Sequence, residues 1–318
     1  MGRIDQALGG NAFVVDESQC LLHAQKYHRY VATKNQLPWS VGDKAAQFTF
    51  KLLFVSICHQ INWDFLQRRM FEAFFVPDQR LMLTRAVNAD SGVIREMLAG
   101  YDKPHRIRAA ERAKYLKETA RVVEERYGGT VDTLCNTPNV AGHDGLFEKL
   151  AAIPAFGEDP LRKKANILAQ ELAREEIVVF DDAQKIPPGI DYHLIRLYLR
   201  TGRVVPMGPV IFQALQRRGA PARARLVHLL RQAVSDALFL TALYAKQPVH
   251  TINYLEWQIA RSRCERDTMN CDGAWPRAME DQPLRELADC CPLRDMCTAY
   301  QHEGWRKLVE PELKKAFY

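Results

Sequence analysis

Apolar residues recur along this chain at three- and four-residue intervals, and no long stretch alternates strictly. That is the pattern of packed helices. Residues 48–76, FTFKLLFVSICHQINWDFLQRRMFEAFFV, predict one or two buried helices. Across 106–127 the spacing of Ala110, Ala113, Leu116, Ala120 and Val123 predicts a helix stopped by Gly128-Gly129. A short helix, FEKLAAI, follows a polar loop. The turn PAFGEDP leads into LRKKANILAQELA, with Asp159 as a cap and Pro160 at the first helical position. Val178 to Phe180 reads as extended, and DDAQKIPPG as a loop before the helix YHLIRLYLRTG. Further helices are expected over 209–218, 221–246 and 250–262. The fold class is all-α, with no internal repeat.

A chain of 318 residues with 47% hydrophobic and 26% charged content can bury a sizeable core. MGRIDQALGG has no apolar signal core, and AVSDALFLTALYA is too short to span a bilayer. A cytoplasmic location with reduced thiols is expected, and no membrane partner. The net charge is only +6, but its distribution is uneven. From Tyr192 to Ser235 no lysine or acid occurs, while Arg196, Arg200, Arg203, Arg217, Arg218, Arg223, Arg225 and Arg231 do. A one-sign stretch of this kind points to a polyanion, since guanidinium forks match phosphate oxygens. Arg261, Arg263 and Arg266 form a second basic group.

Five of the eight cysteines fall late in the chain: Cys264, Cys271, Cys290, Cys291 and Cys297. Six residues separate Cys264 from Cys271, and five separate Cys291 from Cys297. Zinc sites usually pair cysteines two to four residues apart. The wider gaps suit an iron–sulfur cluster better. An odd local count and the missing secretory signal argue against disulfides. Cys20, Cys58 and Cys135 read as ordinary buried thiols. The Pro/Gly-rich loop near 271–284 reads as an insertion within the metal site.

In this order the landmarks resemble the helix-hairpin-helix DNA glycosylases of the endonuclease III type. FKLLFVSICHQ resembles the first barrel helix, and RAKYLKETARVVEERYGGTV the central helix. LAAIPAFG with KKANIL resembles the hairpin, and IDYHLIRLYLRTG the V-D-x-H-x-x-R-x-x-x-R stretch. The cysteines match the family's spacings if an insertion widens the middle gap. The likeness covers about residues 45–300. It implies a two-lobed, endonuclease III-like all-α fold. A six-helix barrel over 45–204 would carry the hairpin, and 1–44 with 205–318 would form the cluster lobe, with the active cleft at their junction.

The resemblance implies a monomeric enzyme that flips a base out of double-stranded DNA and breaks its bond to the sugar. Asp191 would steady the cationic sugar and orient water, although Asp at that position also serves as a helix cap. Lys163, beside Lys164, stands where bifunctional members keep an amine nucleophile. The stretch from Gly157 to Ala165 is longer than in the family, Ala155 replaces a usual glycine, and an ungapped reading puts Asp159 at the lysine position. A monofunctional, water-using glycosylase is therefore expected. Gln60 resembles the inserting residue, and His59, Trp63 and Asp64 would line the base pocket. The amides of Phe156, Gly157 and Glu158 would bind phosphate. Arg196 and Arg200 would grip phosphate or pair internally, and Arg261 and Arg263 would meet the DNA backbone. Cys264, Cys271, Cys291 and Cys297, with Cys290 as the alternative to Cys291, would hold a [4Fe-4S] cluster. Oxidised or mismatched bases are the default substrates. Hypermodified phage bases, a modified nucleotide, or non-catalytic DNA binding are the alternatives.

Overall fold

The computed structural model describes residues 12–28, 43–217, 223–273 and 289–312. Arg218, the start of the helix expected from 221, and most of the 271–284 insertion lie outside the described residues. The chain is mostly helical. In order its main elements are β1 (Phe13–Val15), α1 (Glu17–Ala24), α2 (Lys44–Ser56), α3 (Trp63–Phe74), α4 (Gln79–Asn88), α5 (Ser91–Met97), α6 (Ala109–Tyr127), α7 (Leu146–Ala151) and α8 (Pro154–Gly157). They continue with α9 (Lys163–Arg174), α10 (Tyr192–Arg200), β2 (Val204–Pro206), α11 (Pro209–Gln216), α12 (Ala224–Ala245) and α13 (Val249–Ser262). Single helical turns follow Cys297.

The contacts divide the described chain into two compact units. One runs from 43 to Ile186 and holds α2 to α9. Its core is built on α2, where Phe48, Phe50, Leu52, Leu53, Phe54 and Val55 are all buried. Asp43 caps α2 through the amide of Ala46. The apolar run 48–76 is two helices, because Gln60 takes a left-handed φ of 52° and Asn62 caps a new start. Gly128, at φ 66°, ends α6 in the left-handed conformation that glycine adopts without strain. Gly157 is required for a different reason. A Cβ there would sit 2.4 Å from the carbonyl oxygen of Ala151, so α7 and α8 turn tightly only over glycine.

Helix α9 starts at Lys163, three residues beyond Pro160. Arg162, at φ 50°, turns the chain first, and Asp159 Oδ2 accepts from the amide of Lys163 at 2.9 Å. Asp159 thus caps α9 from four residues back, while Pro160 lies in the turn. Val178 to Phe180 joins no strand.

The other unit contains 12–28 and the described residues from Pro187 on. Helix α10 belongs here, so the boundary falls before Asp191 and not at 204. The reason is packing: α10 lies against α12 and α13, and its arginines hold the cysteine loops. β1 and β2 pair antiparallel, with Phe13 opposite Pro206, and three residues each are too few for a readable alternation. Helix α12 is longer than the apolar stretch at its end suggests. By length and composition it could cross a membrane, and 56% of its apolar window is buried inside the protein, as in a core helix.

Candidate functional site

In the cysteine-bearing unit, α13 runs directly into the first cysteine. Cys264 bridges to Met269, the amide of Cys291 donates to the carbonyl of Cys271 at 2.9 Å, and Cys297 starts the last helical turns. Cys264, Cys271, Cys291 and Cys297 are 5–7% exposed, whereas Cys290 is half-buried. The geometry separates four enclosed thiols from the fifth. A hydrogen bond shared with Cys291 draws the Cys271 thiol down and pushes Cys291 up, and burial pushes Cys297 up to about 12. Among the described residues no three of these sulfurs lie within 4.8 Å of one another. Sulfurs around one zinc ion would stand about 3.8 Å apart, from Zn–S bonds of about 2.3 Å.

Helix α10 ties that loop to Asp191. Arg196 Nε donates to the carbonyl of Cys264 at 2.5 Å, and its Nη1 pairs with Glu310 at 2.8 Å. Arg200 donates to the carbonyls of Glu265, Arg266 and Leu308 at 2.6–3.0 Å and approaches Cys264 Sγ at 3.5 Å. Arg263 is fully enclosed and donates to the carbonyl of Gly273 at 2.6 Å. Arg196, Arg200 and Arg263 are therefore interior clamps: of the two readings for Arg196 and Arg200 internal contact holds and phosphate contact is corrected, as is the expected contact of Arg263 with the DNA backbone. Arg203 forms a buried ion pair with Glu256, and Arg231 is also buried. Of the arginine-rich stretch, Arg217, Arg223 and Arg225 are exposed. Arg261 is half-buried and stacks on the Trp257 ring at 4.4 Å.

At the other end of α10, Asp191 is 8% exposed and caps the helix. Its Oδ1 accepts from the amide of Leu194 at 3.0 Å, and its Oδ2 from the indole N–H of Trp257 at 3.1 Å. Tyr192 and His193 lie ring to ring at 4.2 Å beside it, and His193 meets Arg196 at 3.0 Å. Sequence reasoning found Asp191 but missed Trp257. An isolated Trp on an amphipathic helix carries no sign of a distant carboxylate.

The hairpin-bearing unit holds a second polar cluster. His59 is fully buried, with Nε2 2.7 Å from Glu111 Oε1, and burial plus the charges of Lys164 and Arg112 pull it well below the usual histidine range. Gln60 Oε1 accepts from Arg108 at 3.5 Å. Lys163 is 4% exposed, and its neighbour Lys164 only 1%. The Lys164 ammonium donates to the carbonyl of Ser56 at 2.5 Å and lies 4.6 Å from the Tyr115 ring; burial draws it down to about 8. The Tyr115 hydroxyl donates to Glu158 at 2.6 Å. The doubled lysine in RKKAN was the available signal for Lys164.

One expectation in this unit is corrected. The amides of Phe156, Gly157 and Glu158 already donate to the carbonyls of Ile153 and Pro154 at 2.9–3.2 Å, because a single helical turn closes on itself; they present no phosphate cradle. The expected pocket roles of Trp63 and Asp64 are not corrected: Trp63 is half-buried and meets Phe54 edge to face at 4.4 Å, and Asp64 stands exposed in the first turn of α3. No known family model matches this chain, and no curated protein matches it either.

Proposed function

We propose that this protein is a DNA N-glycosylase of the endonuclease III type, monomeric and cytoplasmic, acting on double-stranded DNA. The observation that carries the reading is the carboxylate of Asp191, held by two N–H donors at the start of a helix whose arginines secure the cysteine loops. A carboxylate so held stays oriented, and the lone pairs left over can face a sugar cation and a water. In the step, the glycosidic electron pair leaves with the flipped base. Asp191 steadies the positive sugar, water adds to the anomeric carbon, and one water proton passes to the departing base. The four buried thiols would hold a [4Fe-4S] cluster, which supplies rigidity to the loop and no chemistry on the base.

Lys164 favours a covalent variant. A buried amine drawn down to about 8 is a better nucleophile than the usual lysine, and it stands next to the hairpin lysine that the resemblance singles out. Its attack on the sugar aldehyde would expel water and form an imine, which borohydride traps.

The test is a panel of duplexes carrying thymine glycol, a G·T mismatch or glucosylated 5-hydroxymethylcytosine, with released base read by mass spectrometry. One of them loses its base, and Asp191→Asn slows that loss by roughly a hundredfold or more. The variant still folds, because Asn caps a helix as well as Asp, while the Trp257 N–H loses its acceptor and the melting temperature falls by only a few degrees. Tight DNA binding without release from any duplex would instead leave a non-catalytic DNA-binding protein. A borohydride adduct that disappears in Lys164→Met selects the covalent variant.

A further inference from the structure

We propose that Trp257 is the positioning residue that sets the plane of the Asp191 carboxylate. This rests on the glycosylase reading, in which Asp191 is catalytic. The two carboxylate oxygens are held from two helices. Oδ1 takes the amide of Leu194 on its own helix α10, and Oδ2 takes the indole N–H of Trp257 on α13. A cap alone fixes one oxygen and leaves the carboxylate free to turn about its bond to Cβ. The second donor removes that freedom.

The donor is itself fixed. Arg261, one helical turn later on α13, lays its guanidinium over the indole at 4.4 Å, and Gln258 accepts from Arg261 Nε at 2.8 Å. Trp257 is only half-buried, so its ring is not simply core filling. Both helices are joined at their far ends by the cysteine loop: α13 leads into Cys264, and Arg196 on α10 donates to the carbonyl of Cys264. The distance between Trp257 and Asp191 is therefore set by the cysteine loop as well as by local packing.

An N–H donated to a carboxylate favours its charged form. Besides Trp257, Arg196 from its own helix bears on Asp191, with His193 against that arginine, and Arg261 lies over the indole that donates to it. The two arginines stay cationic throughout the working range, so removal of the indole N–H changes one donor and leaves their charge in place.

The experiment replaces Trp257 with benzothienylalanine, which keeps the bicyclic ring and lacks the N–H, and separately with Phe. Both are assayed on whichever duplex of the panel releases its base. Turnover falls by roughly ten- to a hundredfold, the loss expected for a hydrogen bond to a charged group. KM for the duplex stays within about twofold, because the lost interaction matters in the transition state. The acid limb of the turnover profile moves up by about one pH unit, since the carboxylate loses a donor that favours its charged form. An unchanged melting temperature for the benzothienylalanine protein separates this from a folding defect. Wild-type turnover in that protein, or a loss confined to KM, overturns the proposal while Asp191→Asn still abolishes release. If Asp191→Asn releases base normally, or no duplex on the panel is cleaved, the glycosylase reading falls and the role of Trp257 with it.

Discussion

The two units differ in how some of their buried basic groups are held. In the cysteine-bearing unit four buried arginines reach carbonyls or an acid: Arg196 with Glu310, Arg203 with Glu256, Arg200 and Arg263 with loop carbonyls. In the hairpin-bearing unit Lys164 and His59 sit near Lys163 and Arg112, and both are pulled toward their neutral forms. Lys51 in that unit is buried too, but it is paired with Glu171 and Glu175 at 2.9 and 2.7 Å. Beyond such pairing, residue type contributes, as in Arg112. It is buried in that same unit and drawn down only to about 10, while it donates to the carbonyls of Ile57, His59, Arg106 and Ile107. A guanidinium keeps its charge and distributes several donors over a loop, whereas the Lys164 amine and the His59 imidazole are drawn toward their neutral forms. The first arrangement fixes a backbone. The second makes a group that can exchange protons near neutral pH.

The sharpest break of this comparison is Arg203→Met. It leaves Glu256 as a fully enclosed carboxylate without its cation, with the Tyr27 hydroxyl still donating to it. Removing one partner of a buried pair costs about 3–5 kcal/mol. Urea unfolding of the variant measures that loss, and adding Glu256→Gln recovers part of it. A loss under about 1 kcal/mol would mean that the enclosed arginines do not carry the fold of this unit.

Next comes the titration of Lys164. Its folded value, about 8, lies below the ordinary 10.5. Between those values the unfolded chain carries a proton that the folded chain lacks, so stability rises as pH increases through that window. At about 1.4 kcal/mol per unit the rise amounts to about 3 kcal/mol. Below pH 8 both states are protonated, and the full burial penalty is present and constant. The difference in unfolding free energy between the native protein and Lys164→Met should therefore grow in favour of the native protein from pH 8 to 10.5. Parallel stability curves for the two would show that the amine is solvated in the folded state.

The helices were legible where apolar spacing and stop signals agreed. The helix expected over 250–262 is Val249–Ser262, and the one ending at Gly202 spans Tyr192–Arg200. The start of α9 was not legible, because Asp159 reaches its amide across a left-handed Arg162 that no propensity announces. That Asp191 opens a helix was legible from its place after Pro187-Pro188-Gly189, and the four buried cysteines belong to the late group that the sequence singled out. What failed was the reading of charge. The acids that answer Arg196 and Arg203, Glu310 and Glu256, lie far along the chain, so a window of eight arginines looked unbalanced although several members are paired in the interior. The hairpin amides failed for a related reason: sequence shows a turn but not whether its donors are already taken.

The smallest effect tests what remains of the basic stretch. Arg217 and Arg225 are exposed, unlike Arg196 and Arg200. If the protein binds duplex DNA, exposed arginines that meet phosphates release counterions, and each lost contact lowers the salt slope of binding by about 0.9. Arg217→Gln with Arg225→Gln should then reduce the slope by about 1–2, weaken binding severalfold at low salt and leave unfolding unchanged, since neither residue is an interior clamp. The measurement is fluorescence anisotropy of a labelled duplex across a salt series. An unchanged slope would move the phosphate contacts away from this stretch altogether. The half-buried Arg261 would become the next arginine to examine, and its stack on Trp257 would then tie DNA contact to the held carboxylate.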